Sequence, residues 1–217
     1  QAPCQKEKAL KRIFTVLRSG GEYTADHVRW LKSQCDEHAS GVDFICLTDL
    51  LEIQGVETHP LIHHWEGWWS KIELFRYDDV FYLDLDTVIL NDIRYMLNLD
   101  GFYALRNFGN FELKGNIVMG SGLMTWSRSP RYIYDRFEPS VTRKYSRHQN
   151  RWGDQGYIYD CLNGDYESLQ DAFPNRIHSY KWGLIDQDKP DADIICFHGR
   201  PRPWDVKKSW VPALKKT

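Results

Sequence analysis

The chain has 217 residues and a formal net charge of −2, from 28 Lys and Arg against 30 Asp and Glu. This length suits one substantial domain, so we expect a single domain over residues 1–217. The small net charge argues against a general nucleic-acid binder, which needs a concentrated basic surface. No apolar run is long enough to span a membrane, and no signal peptide is visible.

The cysteine count is odd and no CxxC pair occurs, which favours neither a disulfide framework nor a zinc ribbon. The five positions are Cys4, Cys35, Cys46, Cys161 and Cys196. Free thiols are typical of a reducing compartment. Together with the missing signal peptide, they lead us to expect a cytoplasmic location.

Strands and helices alternate in the first part of the chain. Strands are predicted at residues 12–20, 42–50 and 79–86, and helices between them at 24–38 and 63–77. Thr24 is a suitable N-cap for the first helix, and Val28, Leu31 and Cys35 share one of its faces. This order predicts an α/β fold with a mixed, mostly parallel sheet.

The second part of the chain is less regular. Strands are predicted at 101–107, 122–128 and 191–199, with a helix at 154–164 that ends at Gly164. Ligands of open parallel sheets bind beyond the carboxyl ends of the strands. We therefore expect the segments that follow the strands to converge on one edge, namely the loop 17–23, Thr48 with Asp49, Asp84 with Asp86, and His198 with Gly199.

The segment FYLDLDTVIL, residues 81–90, places two carboxylates inside an apolar strand. Burying an unpaired carboxylate is costly, and two of them so close together repel each other unless a cation is near. Asp84 and Asp86 therefore indicate a divalent metal site at the end of a strand. Carboxylate oxygens are ligands that Mg²⁺ and Mn²⁺ prefer, often together with substrate phosphates.

Two enzyme classes use such a motif. Residues 81–88 match the DxDx[TV] pattern of haloacid-dehalogenase-like phosphatases, in which Asp84 would be the nucleophile and Asp86 the acid/base. That motif normally ends the first strand of the core, whereas two strand–helix units precede it here. A downstream acidic pair of that class is also not evident in the sequence.

The chain also resembles glycosyltransferase family 8 and the glycogenin-like enzymes, through five motifs in the family's order. These are TVLRSGGEYTADHVRWL (15–31), WWSKIELFRYDDVFYLDLDTVIL (68–90), GSGLMTWSRS (120–129), WGDQGYIYDCL (152–162) and FHGRPRPW (197–204). The resemblance implies a GT-A (Rossmann-like) domain that binds a nucleotide sugar. It implies a metal-dependent hexosyltransferase that uses UDP-sugar and retains the anomeric configuration.

The resemblance also assigns residues. Mn²⁺ or Mg²⁺ would be held by Asp84, Asp86 and His198, and Asp84 would also reach the ribose. The transfer chemistry would use Asp154 and Gln155. The donor would contact Leu17, Arg18, Tyr23, Thr48, Lys71, Asp84, Leu85, Ser121, Gly122, Gly199, Arg200 and Arg202.

The sequence departs from the family pattern at three places, and these leave alternatives open. The family's His falls on Cys196, so Cys196 is the fallback for His198 as third metal ligand. Arg202 replaces a Lys, and Gly120 replaces an Asn, which leaves the donor sugar open. The acceptor is also open between a glycan, a protein and a lipid-linked sugar. A domain that binds a sugar nucleotide without catalysis is a further hypothesis.

Three tryptophans lie close together in the helix predicted at 63–77. Trp65, Trp68 and Trp69 share helical spacing with Ile72 and Phe75. We expect them to pack in the core rather than to form a surface that binds sugar.

Overall fold

The computed structural model describes residues 11–109, 119–145, 153–188 and 190–215. Its strands are β1 Arg12–Leu17, β2 Phe44–Thr48, β3 Glu57–Pro60, β4 Val80–Leu83, β5 Thr87–Ile89, β6 Phe102–Arg106, β7 Met119–Trp126, β8 Glu167–Ser168, β9 Ile177–Ser179 and β10 Ile194–Cys196. Its α-helices are α1 Ala25–His38, α2 Tyr132–Asp135, α3 Asp154–Cys161 and α4 Leu169–Ala172. Short 3-10 helices span Gly67–Arg76, Arg94–Asn98, Pro139–Arg143 and Pro203–Asp205.

The main sheet has seven strands in the order β3-β2-β1-β4-β7-β6-β8. Strands β1 to β4 run parallel, and β7 runs antiparallel to both of its neighbours, β4 and β6. The predicted α/β class with a mixed, mostly parallel sheet is therefore confirmed. We call the edge at which β1, β2, β3 and β4 end the carboxyl edge.

The sheet is covered on both faces because side chains alternate along its strands. On β1, Ile13 and Leu17 pack on the face that α1 covers, whereas Phe14 packs on the opposite face with the Gly67–Arg76 helix. Thr24 is the N-cap of α1, as predicted, and its N–H donates to His27 Nδ1 at 2.9 Å. The two cores fix the strand ends that carry the candidate site.

A second, three-stranded sheet has the order β5-β10-β9. Its strand β5 begins at Thr87, directly after Asp86, and runs antiparallel to β10 with Thr87 opposite Cys196. The last strand therefore does not extend the main sheet. It nevertheless brings the segment after Cys196 back to the carboxyl edge, because β5 leads away from that edge.

The second predicted helix differs most from expectation. Residues 67–76 form 3-10 turns, and the structure does not continue them over all of residues 63–77. Side chains three residues apart eclipse in a 3-10 helix, so Trp69, Ile72 and Phe75 share one packed face. Trp65 is also packed, but Trp68 is 52% exposed, so the prediction that all three tryptophans are core is wrong for Trp68.

Four cysteines fall in the described ranges and are free thiols, namely Cys35, Cys46, Cys161 and Cys196. Cys4 lies outside the described residues. Within the same ranges, every helix is too short or too polar to cross a membrane.

Candidate active site

Asp84 and Asp86 lie on a tight turn that directly follows β4. We call residues 84–86 (Asp-Leu-Asp) the DLD turn. The N–H of Thr87 donates to the carbonyl of Asp84 at 3.1 Å, and the N–H of Asp84 donates to the carbonyl of Gly122 on β7 at 2.9 Å. These bonds fix the turn at the carboxyl edge. Asp86 is almost fully buried, while the Asp84 side chain is 35% exposed.

Asp84 belongs to a buried group of side chains that we call the Lys71 cluster: Lys71, Asp84, Ser121 and Asp154. Lys71 Nζ lies 3.1 Å from Asp84 Oδ1 and 3.1 Å from Asp154 Oδ2. Ser121 Oγ donates to Asp154 Oδ2 at 2.7 Å, and its carbonyl accepts from Lys71 Nζ at 3.2 Å. Four predicted site residues from four separate segments are thus brought together.

The Lys71 ammonium is charged in spite of its burial. Burial alone lowers the pKa of a lysine, but the carboxylates of Asp154 and Asp84 outweigh it and raise the pKa of Lys71. The side chain is only 7% exposed. Lys71 is therefore a fixed positive charge between one carboxylate of the DLD turn and the first residue of α3.

Gly122 gives the Asp84 carboxylate its space. A Cβ at position 122 would lie 3.0 Å from Asp84 Oδ2. Tyr82, two residues before Asp84 on the same face of β4, donates its hydroxyl to Asp84 Oδ1. The orientation of Asp84 is thus set by Lys71, Tyr82 and the missing side chain at Gly122.

Asp86 belongs to a second group, the Arg202 cluster: Glu22, Tyr23, Asp86 and Arg202. The Arg202 guanidinium binds Asp86 Oδ2 through Nη1 and Glu22 Oε2 through Nη2, the latter at 2.8 Å. It lies over the Tyr23 ring at 5.0 Å, and the Tyr23 hydroxyl donates to Asp86 Oδ2 at 3.0 Å. Asp86, Tyr23 and Arg202 were predicted from the sequence, whereas Glu22 was missed.

The electrostatics of this second group favour a cation. Burial, together with the negative charge of Asp84, raises the pKa of Asp86 to about 7, although Arg202 lowers it. The hydrogen bond from Arg202 is the main cause that lowers the pKa of Glu22. A cation close to Asp86 would stabilise its charged form.

The loops after β1 and β2 are joined beside these clusters. Asp49 accepts hydrogen bonds from the Ser19 N–H at 2.8 Å and the Ser19 hydroxyl at 2.6 Å, and Arg18 Nη1 lies 3.3 Å from it. Leu17 and Thr48 are buried partners at the ends of β1 and β2. The predicted donor loop is therefore held at the carboxyl edge.

The two candidates for the third metal ligand face different surroundings. His198 Nε2 is hydrogen-bonded to Ser179 Oγ at 2.6 Å, and its ring stacks on Phe108. Burial and then the charge of Lys181 lower the pKa of His198. Burial raises the pKa of Cys196, and the charges of Asp86 and Asp84 raise it further. The fallback residue Cys196 thus lies close to the DLD turn, opposite Thr87 in the second sheet.

The donor atoms at this edge determine whether a divalent metal fits. In the described ranges, no group of three or more His, Cys, Asp and Glu side chains has the arrangement of a metal site. Two carboxylates on one turn are nonetheless an oxygen donor set that suits Mg²⁺ or Mn²⁺, which commonly take further ligands from substrate phosphates and water. Asp84 and Asp86 therefore fit such an ion when the nucleotide supplies further ligands of its coordination shell.

The remaining predicted residues lie around the same edge. Leu85 is buried between the two carboxylates, and Gln155 is half-buried in the first turn of α3. Arg200 is exposed and bridges Glu22 and Asp205. Gly199 has a φ of +71°, and a Cβ there would lie 3.2 Å from Lys181 Nζ. Lys181 was missed because only the pairing of β9 with β10 brings it to this turn.

Comparison with solved structures shows the fold. The chain superposes on the glycosyltransferase GlyE of Streptococcus pneumoniae TIGR4 with a TM-score of 0.63 at 16% identity, over 93% of this chain and 57% of GlyE. It superposes on the galactosyltransferase LgtC, solved with donor and acceptor sugar analogs, with a TM-score of 0.61 at 13% identity, over 89% of each chain. It superposes on the bifunctional glycosyltransferase WbbM with a TM-score of 0.57 at 12% identity, over 90% of this chain and 47% of WbbM.

The chain thus spans little more than half the length of GlyE. No protein-family model and no curated protein sequence matches it. The phosphatase hypothesis expects the acidic motif after the first strand of the core, but the structure places it after β4. The architecture of this chain is the GT-A fold of glycosyltransferases.

Proposed function

We propose that the chain is a metal-dependent glycosyltransferase that transfers a sugar from a UDP-sugar to an acceptor hydroxyl. The observation that carries the proposal is the DLD turn at the carboxyl edge of a GT-A fold, with a buried lysine on one carboxylate and an arginine on the other. A diphosphate leaving group gains negative charge during transfer. Cations placed where that charge develops stabilise the transition state.

Asp84 and Asp86 are the residues that would hold the metal. Mn²⁺ or Mg²⁺ would supply a Lewis acid for the diphosphate oxygens. In the structure Arg202 takes the position of a counter-ion to Asp86. On this proposal, Arg202 would exchange the Asp86 carboxylate for a diphosphate oxygen of the bound donor, and a guanidinium is well suited to either partner.

The nucleotide is proposed to lie along the loop after β1. Arg18, Thr48 and Leu85 line this part of the edge, and Tyr23 offers an aromatic ring beside it. One face of Tyr23 carries the Arg202 guanidinium. The same movement of Arg202 that frees Asp86 thus uncovers Tyr23 for the uracil ring.

Asp154 is proposed to act at the transferred sugar. The bond from the anomeric carbon to the diphosphate oxygen breaks, and UDP leaves with the electron pair. The acceptor oxygen forms the new bond and its proton passes to the diphosphate or to water. Asp154 is buried beside Lys71 and Ser121, which fix its carboxylate. We propose that this carboxylate stabilises positive charge on the sugar ring. We propose retention of configuration, with Gln155 as its neighbour at the start of α3.

The decisive experiment is calorimetric titration with UDP in the presence and absence of Mn²⁺, for the wild type and for Asp86→Ala. We expect binding that depends on Mn²⁺ and that Asp86→Ala abolishes. Wild-type protein that does not bind UDP with Mn²⁺ present would refute the proposal. Turnover of UDP-glucose and UDP-galactose would then identify the donor, and stable binding without any turnover would favour the non-catalytic hypothesis.

Asp154→Asn tests the catalytic assignment. The amide keeps the size of the side chain but removes its charge. We expect UDP affinity close to that of the wild type and a loss of about 10²-fold or more in transfer or donor hydrolysis. Near-normal turnover would exclude Asp154, and an inverted product observed by NMR would exclude retention.

The third metal ligand is tested by a pair of variants. We propose His198 for this role, and His198→Ala should then weaken Mn²⁺-dependent UDP binding by about 10-fold or more, as losses at metal sites usually do. Cys196→Ala is the matched variant on the same strand end, and we expect it to bind like the wild type. The reverse result would assign the role to Cys196.

A further inference from the structure

Trp68 is an exposed aromatic side chain one turn away from the Lys71 cluster. It lies in the first turn of the Gly67–Arg76 helix, and Lys71 follows three residues later. Side chains at this spacing eclipse in a 3-10 helix, which rises about 6 Å over three residues. Trp68 is 52% exposed while Lys71 is buried. Trp68 therefore lies at the exposed end of the helix whose next turn carries Lys71.

The backbone at Gly153 lies against the Trp68 indole. A Cβ at Gly153 would lie 2.7 Å from Trp68 Nε1, so the indole rests against the backbone just before Asp154. Gly153 has a φ of +69°, which L side chains rarely adopt. The absence of a side chain at position 153 is thus what allows Trp68 to reach the start of α3.

The chain that leads into Trp68 is also held in place. Both carboxylate oxygens of the buried Glu73 accept backbone N–H groups, one from Ile62 and one from His63, each at 2.9 Å. Arg76 lies 3.0 Å from Glu73 and balances its charge. This segment follows β3, whose end lies on the carboxyl edge. The rim that carries Trp68 is therefore pre-organised.

We propose that Trp68 binds the acceptor and that the acceptor is a carbohydrate, whose pyranose ring stacks on the indole. The flat C–H face of a pyranose is its apolar side, and stacking on an aromatic ring leaves its hydroxyl groups free. The indole touches the residue before Asp154, so a ring stacked there presents a hydroxyl toward the proposed site of transfer. His64 and Glu66, four and two residues before Trp68 in the chain, are exposed and carry hydrogen-bonding groups. The inference rests on the proposed glycosyl transfer.

Trp182 provides the matched control for this proposal. It is 54% exposed, similar to Trp68, and it follows β9 at the same edge. Its neighbour Lys181 lies by Gly199 rather than by Asp154. Replacing Trp182 therefore removes an equally exposed indole without touching the Lys71 cluster.

The experiment uses lactose, maltose and diacetylchitobiose as probes, with UDP and Mn²⁺ present, and follows binding by saturation-transfer NMR. We expect wild-type protein to bind at least one of them. Trp68→Ala should weaken that binding by about tenfold, which corresponds to about 1.4 kcal/mol. Trp68→Phe should retain most of the affinity because it keeps an aromatic face, and Trp182→Ala should match the wild type.

UDP affinity, measured in parallel, distinguishes a failure of the acceptor site from a failure of the proposed function. It should be the same in the wild type and in all three variants, because each variant keeps Lys71, Tyr82, Tyr23 and Arg202, which bind Asp84 and Asp86. Wild-type protein without UDP binding refutes the proposed function itself. If UDP binds, the acceptor site is refuted when no probe binds the wild type, when Trp68→Ala binds like the wild type, or when Trp182→Ala shows the loss instead.

Discussion

Replacing Lys71 by methionine tests whether the buried cation organises the site. Methionine fills a similar volume but leaves Asp154 and Asp84 without the ammonium that lies 3.1 Å from each. Breaking a buried ion pair by removing one partner costs about 3–5 kcal/mol, because the other charge is left uncompensated. The pair with Asp154 should dominate, since Asp154 is buried whereas solvent screens part of the attraction to Asp84.

The assay is thermal unfolding followed by tryptophan fluorescence. A loss of this size should lower the melting temperature by about 6–20 °C, given about 2–4 °C per kcal/mol for a chain of this length. The control is Lys32→Met, which breaks an exposed i,i+4 pair with Asp36 at 2.7 Å. Such pairs contribute about 0.3–0.5 kcal/mol. If both variants lose the same stability, Lys71 does not stabilise a buried carboxylate pair and our account of the cluster fails.

Two further substitutions test the two carboxylates separately. Gly122→Ala pushes a methyl group against Asp84 Oδ2, and we expect about tenfold weaker Mn²⁺-dependent UDP binding, because sub-ångström misplacement of a site residue is costly. Gly120→Ala on the same strand presses on an apolar neighbour instead and should bind UDP normally; equal losses would contradict this reasoning. Arg202→Met should weaken UDP binding by about 10- to 100-fold, since a charge-assisted hydrogen bond is lost. In the absence of nucleotide, the same variant should bind Mn²⁺ as well as the wild type or better, because the Arg202 guanidinium no longer occupies Asp86. A loss of Mn²⁺ binding in calorimetry would argue against the proposed exchange of Asp86 for a diphosphate oxygen.

Much of the fold follows from local patterns in the sequence. The apolar runs at β1, β2 and β4 and the cap at Thr24 are strong signals, and their order is enough to predict that these three strands run parallel. The short strands β3, β5, β8 and β9 were not predicted, because two to four residues carry no clear period. The pairing of β5 and β9 with β10 places β10 in a second sheet, so the surroundings of its end could not be predicted.

The candidate site was predictable where the chemistry is local. Two carboxylates with one residue between them in an apolar strand predict a divalent metal site, and that stays a prediction; the structure places Lys71 against Asp84 and Arg202 against Asp86. Trp68 was misplaced because helical spacing does not show where the packed part of a helix begins. In the three-residue row of the 3-10 turns, Lys71 and Leu74 are buried, whereas Trp68 lies in the exposed first turn.

The two clusters together explain how a buried acidic pair is stable before any donor binds. Asp84 is neutralised by a lysine that is itself locked to Asp154, so this half of the site is set by folding. Asp86 is neutralised by Arg202, which is partly accessible and is shared with Glu22. Separating Lys71 from Asp84 would be costly because Lys71 is buried. Arg202, which pairs with Asp86, lies in a loop at the edge of the site. Binding of metal and diphosphate is therefore expected to rearrange Arg202 and to leave Lys71 in place.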